Sequence, residues 1–358
     1  MTLEQLLGLI ALGVKKGTSD LHFEVGCPPA FRLHGELLSA RMEKLTASDT
    51  LLLAKHILGA EDPFFAGARH DVDRGFSIQG VSRFRASILR QRGSVGLVLR
   101  IIPFEVPTLA DLHLPAILES VAGARSGLIL VTGATGNGKS TTMAAMLNHV
   151  NRTQRSHIIT IEEPIEFIFA MDQSIIIQRE VGVDTSSFGS ALKAALRQDP
   201  DVLMVGEMRD AETADTCLKA AETGHLVIST LHTQDVQRTI GRFVGMFPAE
   251  EQVSVRHRLA ENILAVVSLR LVPRRDGGGL IPAVEVLLST RSVQEAIRDP
   301  ARSDTLVTLM EKGRTDVGMQ TFDQHVLQLV QTGVISSDTA RSAATRPKEL
   351  ERALAGVQ

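Results

Sequence analysis

The run Leu-Ile-Leu-Val-Thr-Gly-Ala-Thr-Gly-Asn-Gly-Lys-Ser-Thr-Thr at 128–142 constrains the fold more than any other stretch. Gly133, Gly138, Lys139 and Ser140 fill the pattern G-x-x-x-x-G-K-[ST]. Four apolar residues at 128–131 precede it, and a short continuous apolar run of that kind makes a parallel strand buried on both faces. The residues after it read as helix. A Gly-rich turn between strand and helix aims several backbone N–H groups at one point, and the helix dipole adds positive potential there. Gly133, Ala134, Thr135, Gly136, Asn137 and Gly138 are therefore expected to wrap a phosphate chain. Lys139 is expected to reach the β- and γ-phosphates. The Ser140 hydroxyl would ligate Mg²⁺, and Thr141 would add a hydroxyl near the α-phosphate. The ligand expected on this pattern is a nucleoside triphosphate, ATP, with Mg²⁺.

The rest of the chain reads as two domains. From about residue 114, strands alternate with helices, the pattern of a parallel α/β sheet. Strands are expected over 128–131, 157–161, 201–205, 226–230, 264–272 and 282–286. Helices are expected over 140–151, 187–197, 211–222, 236–246 and 250–259, and the tail after Ser289 reads as helix-rich and polar. The first hundred residues differ. Thr2-Leu3-Glu4-Gln5 is a capping box, and Leu3, Leu6, Leu7, Ile10 and Val14 then recur at helical spacing. Short strands follow around 21–25, 31–33, 72–78, 83–90 and 96–102, with a helix over 48–58 among them. This half reads as a small α+β domain with mostly antiparallel strands. The expected division is 1–102, a linker at 103–113 that contains Pro103 and Pro107, and 114–358.

Composition narrows the partners. A net charge of −3 supplies no overall basic field for nucleic acid or an anionic membrane. Trp and Tyr are absent, so no such ring can stack on a single strand. Cys27 and Cys217 stand far apart and outside any C-x-x-C, which fits a reducing compartment and argues against zinc. No apolar run approaches membrane-span length and no basic leader opens the chain, so a cytoplasmic protein without direct membrane insertion is expected.

Four further groups of residues carry chemistry. Asp201-Val-Leu-Met-Val-Gly-Glu207 is an apolar strand followed by an acid, the form of a Walker B strand whose carboxylate holds Mg²⁺ through water. Residues 158–161 form another apolar strand, and Glu162, Glu163 and Glu166 follow. A carboxylate at such a strand end could orient and deprotonate a water, although a solvated acidic loop has the same pattern. His225 and His232 flank the strand at 226–230, where a histidine could sense a γ-phosphate or serve as a structural donor. Arg83 and Arg85 share one face of a strand, with Phe84 and Ala86 on the other, and Arg92 and Arg100 follow. Such arginines could act as fingers on a neighbouring subunit's nucleotide or line a solvated strand face.

Taken in order, these stretches resemble the PilT/PilU branch of the type II/IV secretion ATPase superfamily, the motors of type IV pilus retraction. The resemblance rests on Ser19-Asp-Leu-His-Phe23, Ser82-Arg-Phe-Arg85, Leu99-Arg-Ile-Ile-Pro103, the Walker A loop and Thr160-Ile-Glu-Glu-Pro-Ile-Glu-Phe167. It continues through Walker B at 196–210, a His box from Ala221 to Thr233, Ala296-Ile-Arg298 and Gly318-Met-Gln-Thr-Phe-Asp-Gln324. It implies an N-terminal PAS-like domain joined to a RecA-like P-loop ATPase domain with a helical tail. It also implies a homohexameric ring at the inner face of the cell membrane that works on an inner-membrane platform protein. In that reading Glu162 polarises water and Glu207 supports Mg²⁺. Glu163 adds a second carboxylate, and His225 and His232 report nucleotide state. Arg85 and Arg100 are the leading fingers. The chain departs from the branch at Glu163, where Asp is usual, at Ala134, where Pro is common, and at Asp299-Pro300. An accessory paralogue of the retraction motor therefore stays open beside the motor itself. Extension and type II secretion ATPases are longer and often carry a four-cysteine zinc insertion, and a nucleic-acid translocase would need a basic or aromatic channel that the sequence does not supply.

Overall fold

The computed structural model describes residues 1–33, 35–102 and 105–356. Two compact units emerge: Met1–Glu105 with Pro164–Phe169, and Val106–Glu163 with Ala170–Gln358. Pro103 lies outside the described residues.

The first unit runs α1 (Leu3–Lys15), β1 (Asp20–Phe23), β2 (Ala30–Leu33), β3 (Glu36–Ser39), α2 (Ala47–Leu58), β4 (Asp71–Ile78), β5 (Ser82–Gln91) and β6 (Ser94–Ile102). The Thr2 capping box forms as expected, with Thr2 Oγ1 accepting from the Gln5 N–H and Gln5 Oε1 accepting from the Thr2 N–H. The strands pair antiparallel in the order β3-β2-β1-β6-β5-β4. β5 alternates buried and half-exposed along its length, with Phe84, Ala86 and Ile88 turned inward onto Leu6, Ile10, Leu53 and Leu97. That period of two is what put Arg83 and Arg85 on the opposite face. β3 was not expected. All four of its residues are exposed at the sheet edge, so it carries no apolar alternation to read.

The second unit holds α3 (Ile117–Ala122), β7 (Gly127–Thr132), α4 (Lys139–Thr153), β8 (His157–Glu162), β9 (Ile175–Glu180), α5 (Phe188–Ala195), β10 (Val202–Val205), α6 (Ala211–Glu222), β11 (Leu226–Leu231), α7 (Val236–Val244), α8 (Gln252–Asn262), β12 (Ile263–Pro273) and β13 (Leu280–Leu288). Its sheet order is β13-β12-β7-β11-β10-β8-β9. Every pairing is parallel except β12 with β13. The central strands β7, β8, β10 and β11 are buried almost end to end, because such a strand buries both faces.

The tail comprises α9 (Arg291–Arg298), a 3₁₀ turn at Pro300–Arg302, α10 (Thr305–Lys312), α11 (Phe322–Gln331), α12 (Ser337–Ala343) and α13 (Pro347–Leu354). It is helical as expected but not simply polar. Phe322, Val326, Leu329, Ile335, Ala340 and Leu350 form a core of their own against Val272, Ile281 and Ala283 of β12 and β13. Short helices that give this core one to three buried residues each hide it in the sequence. Among the described residues, no helix is long and apolar enough to cross a membrane.

Candidate nucleotide site

The loop after β7 is built by two glycines and an asparagine. Gly133 has φ +147°, and a Cβ there would stand 2.7 Å from the Leu269 carbonyl of β12. Gly138 caps α4 with φ +84°, a left-handed conformation that suits glycine. Asn137 then fixes the loop to β12. Its Nδ2 donates to the Leu269 carbonyl at 3.1 Å, and the Leu271 N–H donates to its Oδ1 at 3.4 Å. The Asn137 backbone N–H is also engaged, donating to the Ala134 carbonyl at 3.2 Å. Lys139 is buried, and its ammonium donates to the Gly133 and Ala134 carbonyls at 3.0 and 3.1 Å. Ala134, Thr135 and Gly136 form the exposed rim, and Ser140 and Thr141 lie half-buried in the first turn of α4.

Parallel register carries three more predicted residues to the same sheet edge. Thr132 pairs with Leu231, and Val205 pairs with both Ser229 and Ile161. Glu162 therefore ends β8, and the P-loop, Glu207 and His232 follow the carboxyl ends of β7, β10 and β11, on the edge where doubly wound sheets place ligands. Three strand spacings separate β7 from β8, roughly 14 Å, so the site spans the sheet edge rather than one strand end.

Glu162 is buried, and two neighbours hold the same oxygen. Thr160 Oγ1 donates to Oε1 at 2.6 Å and Gln178 Nε2 at 3.2 Å. Glu207 is joined to Glu163 by Arg209. One guanidinium nitrogen pairs with Glu207, and the other lies 3.0 Å from Glu163 Oε2. His232 Nε2 stands 3.2 Å from the second Glu207 oxygen. Burial pushes the Glu207 carboxyl up, but the hydrogen bond and charge of Arg209, followed by those of His232, outweigh it and hold the group below the usual range. The Glu207 hydrogen bond, the largest influence on Arg209, raises that guanidinium in turn.

His225 does not join this group. It precedes β11 and so lies at the opposite edge, seven residues or roughly 23 Å along the strand from His232. There its Nδ1 lies 2.9 Å from the Ala220 carbonyl and 3.1 Å from the Thr223 hydroxyl, closing the turn after α6. Arg85 and Arg100 belong to the first unit. Arg85 pairs with exposed Asp73 at 3.3 Å. Arg100 Nε donates to buried Asp20 at 2.9 Å. Burial raises the Asp20 carboxyl, and the hydrogen bonds of Arg100 and Ser19 more than reverse this. Arg83 donates to the Ser77 hydroxyl, and Arg92 occupies the β5–β6 turn with φ +48°.

Two supporting residues escaped the sequence reading. Gln178 sits on edge strand β9, whose signal was the β-branched run Ile175-Ile176-Ile177. Arg209 follows Glu207 by two positions, and its spacing does not disclose that it reaches Glu163.

A family model described as "Type II/IV secretion system protein" matches residues 10–354. The chain belongs to this family. Among similar family members is the "Type IV pilus retractation ATPase PilT" of Pseudomonas aeruginosa, 40% identical over 340 residues, 95% of this chain and 98% of that one. The "Type IV pilus ATPase PilU" of the same organism is also 40% identical, over 350 residues, 98% of this chain and 90% of that one. A crystal structure of the pilus retraction motor PilT with bound ADP matches with a TM-score of 0.89 and 42% identity, over 97% of this chain and 98% of that one. The α/β architecture expected from the sequence is thus that of the secretion ATPase family.

Proposed function

We propose that this chain is an ATP hydrolase that powers type IV pilus retraction, and with it twitching motility. The observation that carries the reading is the convergence of the P-loop, Glu162 and the Glu163–Arg209–Glu207–His232 chain on one edge of a parallel sheet. The P-loop backbone and Lys139 hold the phosphates, with Lys139 turning from the loop carbonyls toward them. Glu162 orients the attacking water and accepts its proton, while Thr160 and Gln178 keep the carboxylate in place. Mg²⁺ fits the hard oxygen donors present. Ser140 would ligate it directly, and Glu207, both of whose oxygens already have partners, would reach it through water; bound there, it would screen the phosphate charge. A few protein ligands suffice for Mg²⁺ beside a phosphate chain, in keeping with the absence of any three-ligand cluster of His, Cys, Asp or Glu among the described residues.

The working form in this reading is a homohexamer. The domains are 1–102, a linker at 103–113 and 114–358, and Arg85 and Arg100 reach a neighbour's nucleotide. The ring sits in the cytoplasm at the inner face of the membrane and drives a platform protein there. A second reading, an accessory retraction ATPase, stands beside it, because the chain is as similar to the "Type IV pilus ATPase PilU" as to PilT, 40% identical to each. Steady-state ATP hydrolysis by the purified protein, beside Lys139→Ala and Glu162→Gln and with mass measured in parallel, separates the two. A turning-over hexamer is expected. Glu162→Gln should keep nucleotide affinity and lose about 10²–10⁴-fold in kcat, whereas Lys139→Ala should lose affinity as well. A hexamer that binds ATP without turnover would favour the accessory role.

A further inference from the structure

Four buried hydroxyls link the base of the P-loop to the histidine segment. Thr132 Oγ1, immediately before Gly133, lies 2.8 Å from Ser268 Oγ on β12. Thr239 Oγ1 on α7 lies 3.4 Å from Thr132 Oγ1 and 2.7 Å from Thr233 Oγ1. Thr239 also donates to the Asp235 carbonyl at 2.7 Å. Thr132, Thr239 and Ser268 are fully buried and Thr233 is 9% exposed. Thr233 directly follows His232, the partner of Glu207.

This chain is more than a packing device. Valine has nearly the shape of threonine and would fill the same space without polar atoms to satisfy. A helix threonine bonded to the carbonyl four residues back needs only one partner. Thr239 instead makes three contacts, and they fall on three segments: the strand entering the P-loop, the residue after His232, and the cap of α7. Asp235 caps α7 by accepting from the Arg238 N–H at 2.8 Å, and Glu285 on β13 accepts from the Val236 N–H at 2.8 Å. A shift at the phosphates therefore has a continuous polar path to the start of α7.

We infer that Thr239 is a positioning residue for hydrolysis, setting the P-loop and the His232–Glu207 contact in one register. The inference rests on the ATPase reading above. Its test compares Thr239→Val, Thr233→Val and Thr239→Ser with the control Thr216→Val. Thr216 is a buried α6 threonine whose hydroxyl donates to the Glu212 carbonyl at 2.8 Å. Thr239→Val and Thr233→Val should lower kcat about tenfold while the Kd for ADP stays within about twofold. Thr239→Ser should restore kcat to within about threefold, and Thr216→Val should leave it near wild type. Unchanged kcat in the valine variants overturns the inference. So does a loss that follows ADP affinity, an equal loss in Thr216→Val, or failure of the serine variant to rescue. If Thr239→Val does not fold, Thr233→Val decides alone. A wild-type protein that binds ADP without hydrolysing ATP sinks the ATPase reading and this inference with it, whereas an active wild type with active valine variants sinks this inference only.

Discussion

At the scale of single residues, the site separates groups that chemistry places from groups that only the fold places. Lys139, Ser140 and Glu207 were legible because their spacing from the glycines and from an apolar strand is itself the signal. Gln178 was not, because its bond to Glu162 spans 16 positions and depends on β9 pairing beside β8. Gln178→Ala is expected to lower kcat about tenfold with little change in ADP affinity, since it removes a brace rather than a phosphate contact. Arg209 invites a pH test. It helps to hold Glu207 below the ordinary carboxylate range, so Arg209→Ala should let that group titrate at higher pH. The acid limb of the kcat–pH profile should move upward in the variant, and an unmoved limb would mean that Glu207 ionisation does not govern turnover.

At the scale of elements, strongly apolar strands and capped helices were read nearly to their ends, while β3, β9 and the tail core were not. The two missed strands lie at sheet edges: β3 is exposed at every residue and shows no apolar alternation, and β9 is marked only by the run Ile175-Ile176-Ile177. The polar seam between β13 and its neighbours was equally hidden. Glu285 is buried, and burial first, then the Asp235 and Asp323 charges, push its carboxyl up to about 7 against the opposing Val236 N–H and Arg270. His325 on α11 accepts the Val284 N–H at 2.9 Å. Burial and the Arg314 charge push it down to about 4. The signs oppose. The Glu285 contribution is complete below the ordinary 4.5 and fades as pH rises through 7. The His325 contribution is complete above the ordinary 6.5 and fades as pH falls through 4. Between about pH 4.5 and 6.5 the two slopes, each about 1.4 kcal/mol per pH unit, nearly cancel. Thermal melts should therefore show a shallow profile in the parent. In that window stability should rise with pH in Glu285→Gln and fall with pH in His325→Gln. Parallel profiles in all three proteins would refute the assignment.

At the scale of the whole molecule, the two-sheet plan was legible from a change of rhythm, from short alternating strands to long apolar strands with helices between them. The sequence alone does not decide whether the arginines of one subunit serve the phosphates of another. Arg85 gives the clean test, because its partner Asp73 is exposed and a surface ion pair contributes only about 0–1 kcal/mol. Arg85→Ala should therefore keep its Tm and lose turnover. Mixed with Lys139→Ala subunits, it should regain part of the activity if the finger acts between subunits, and none if it acts within one. The clamped P-loop has a calorimetric consequence as well. Gly133 already lies against β12, and Asn137 already holds Leu269 and Leu271. Nucleotide then docks onto finished backbone instead of folding it, so little conformational order is left to gain at that moment. Titration calorimetry of ADP binding should give a small heat-capacity change, and Asn137→Ala, which unfastens the loop, should make it more negative.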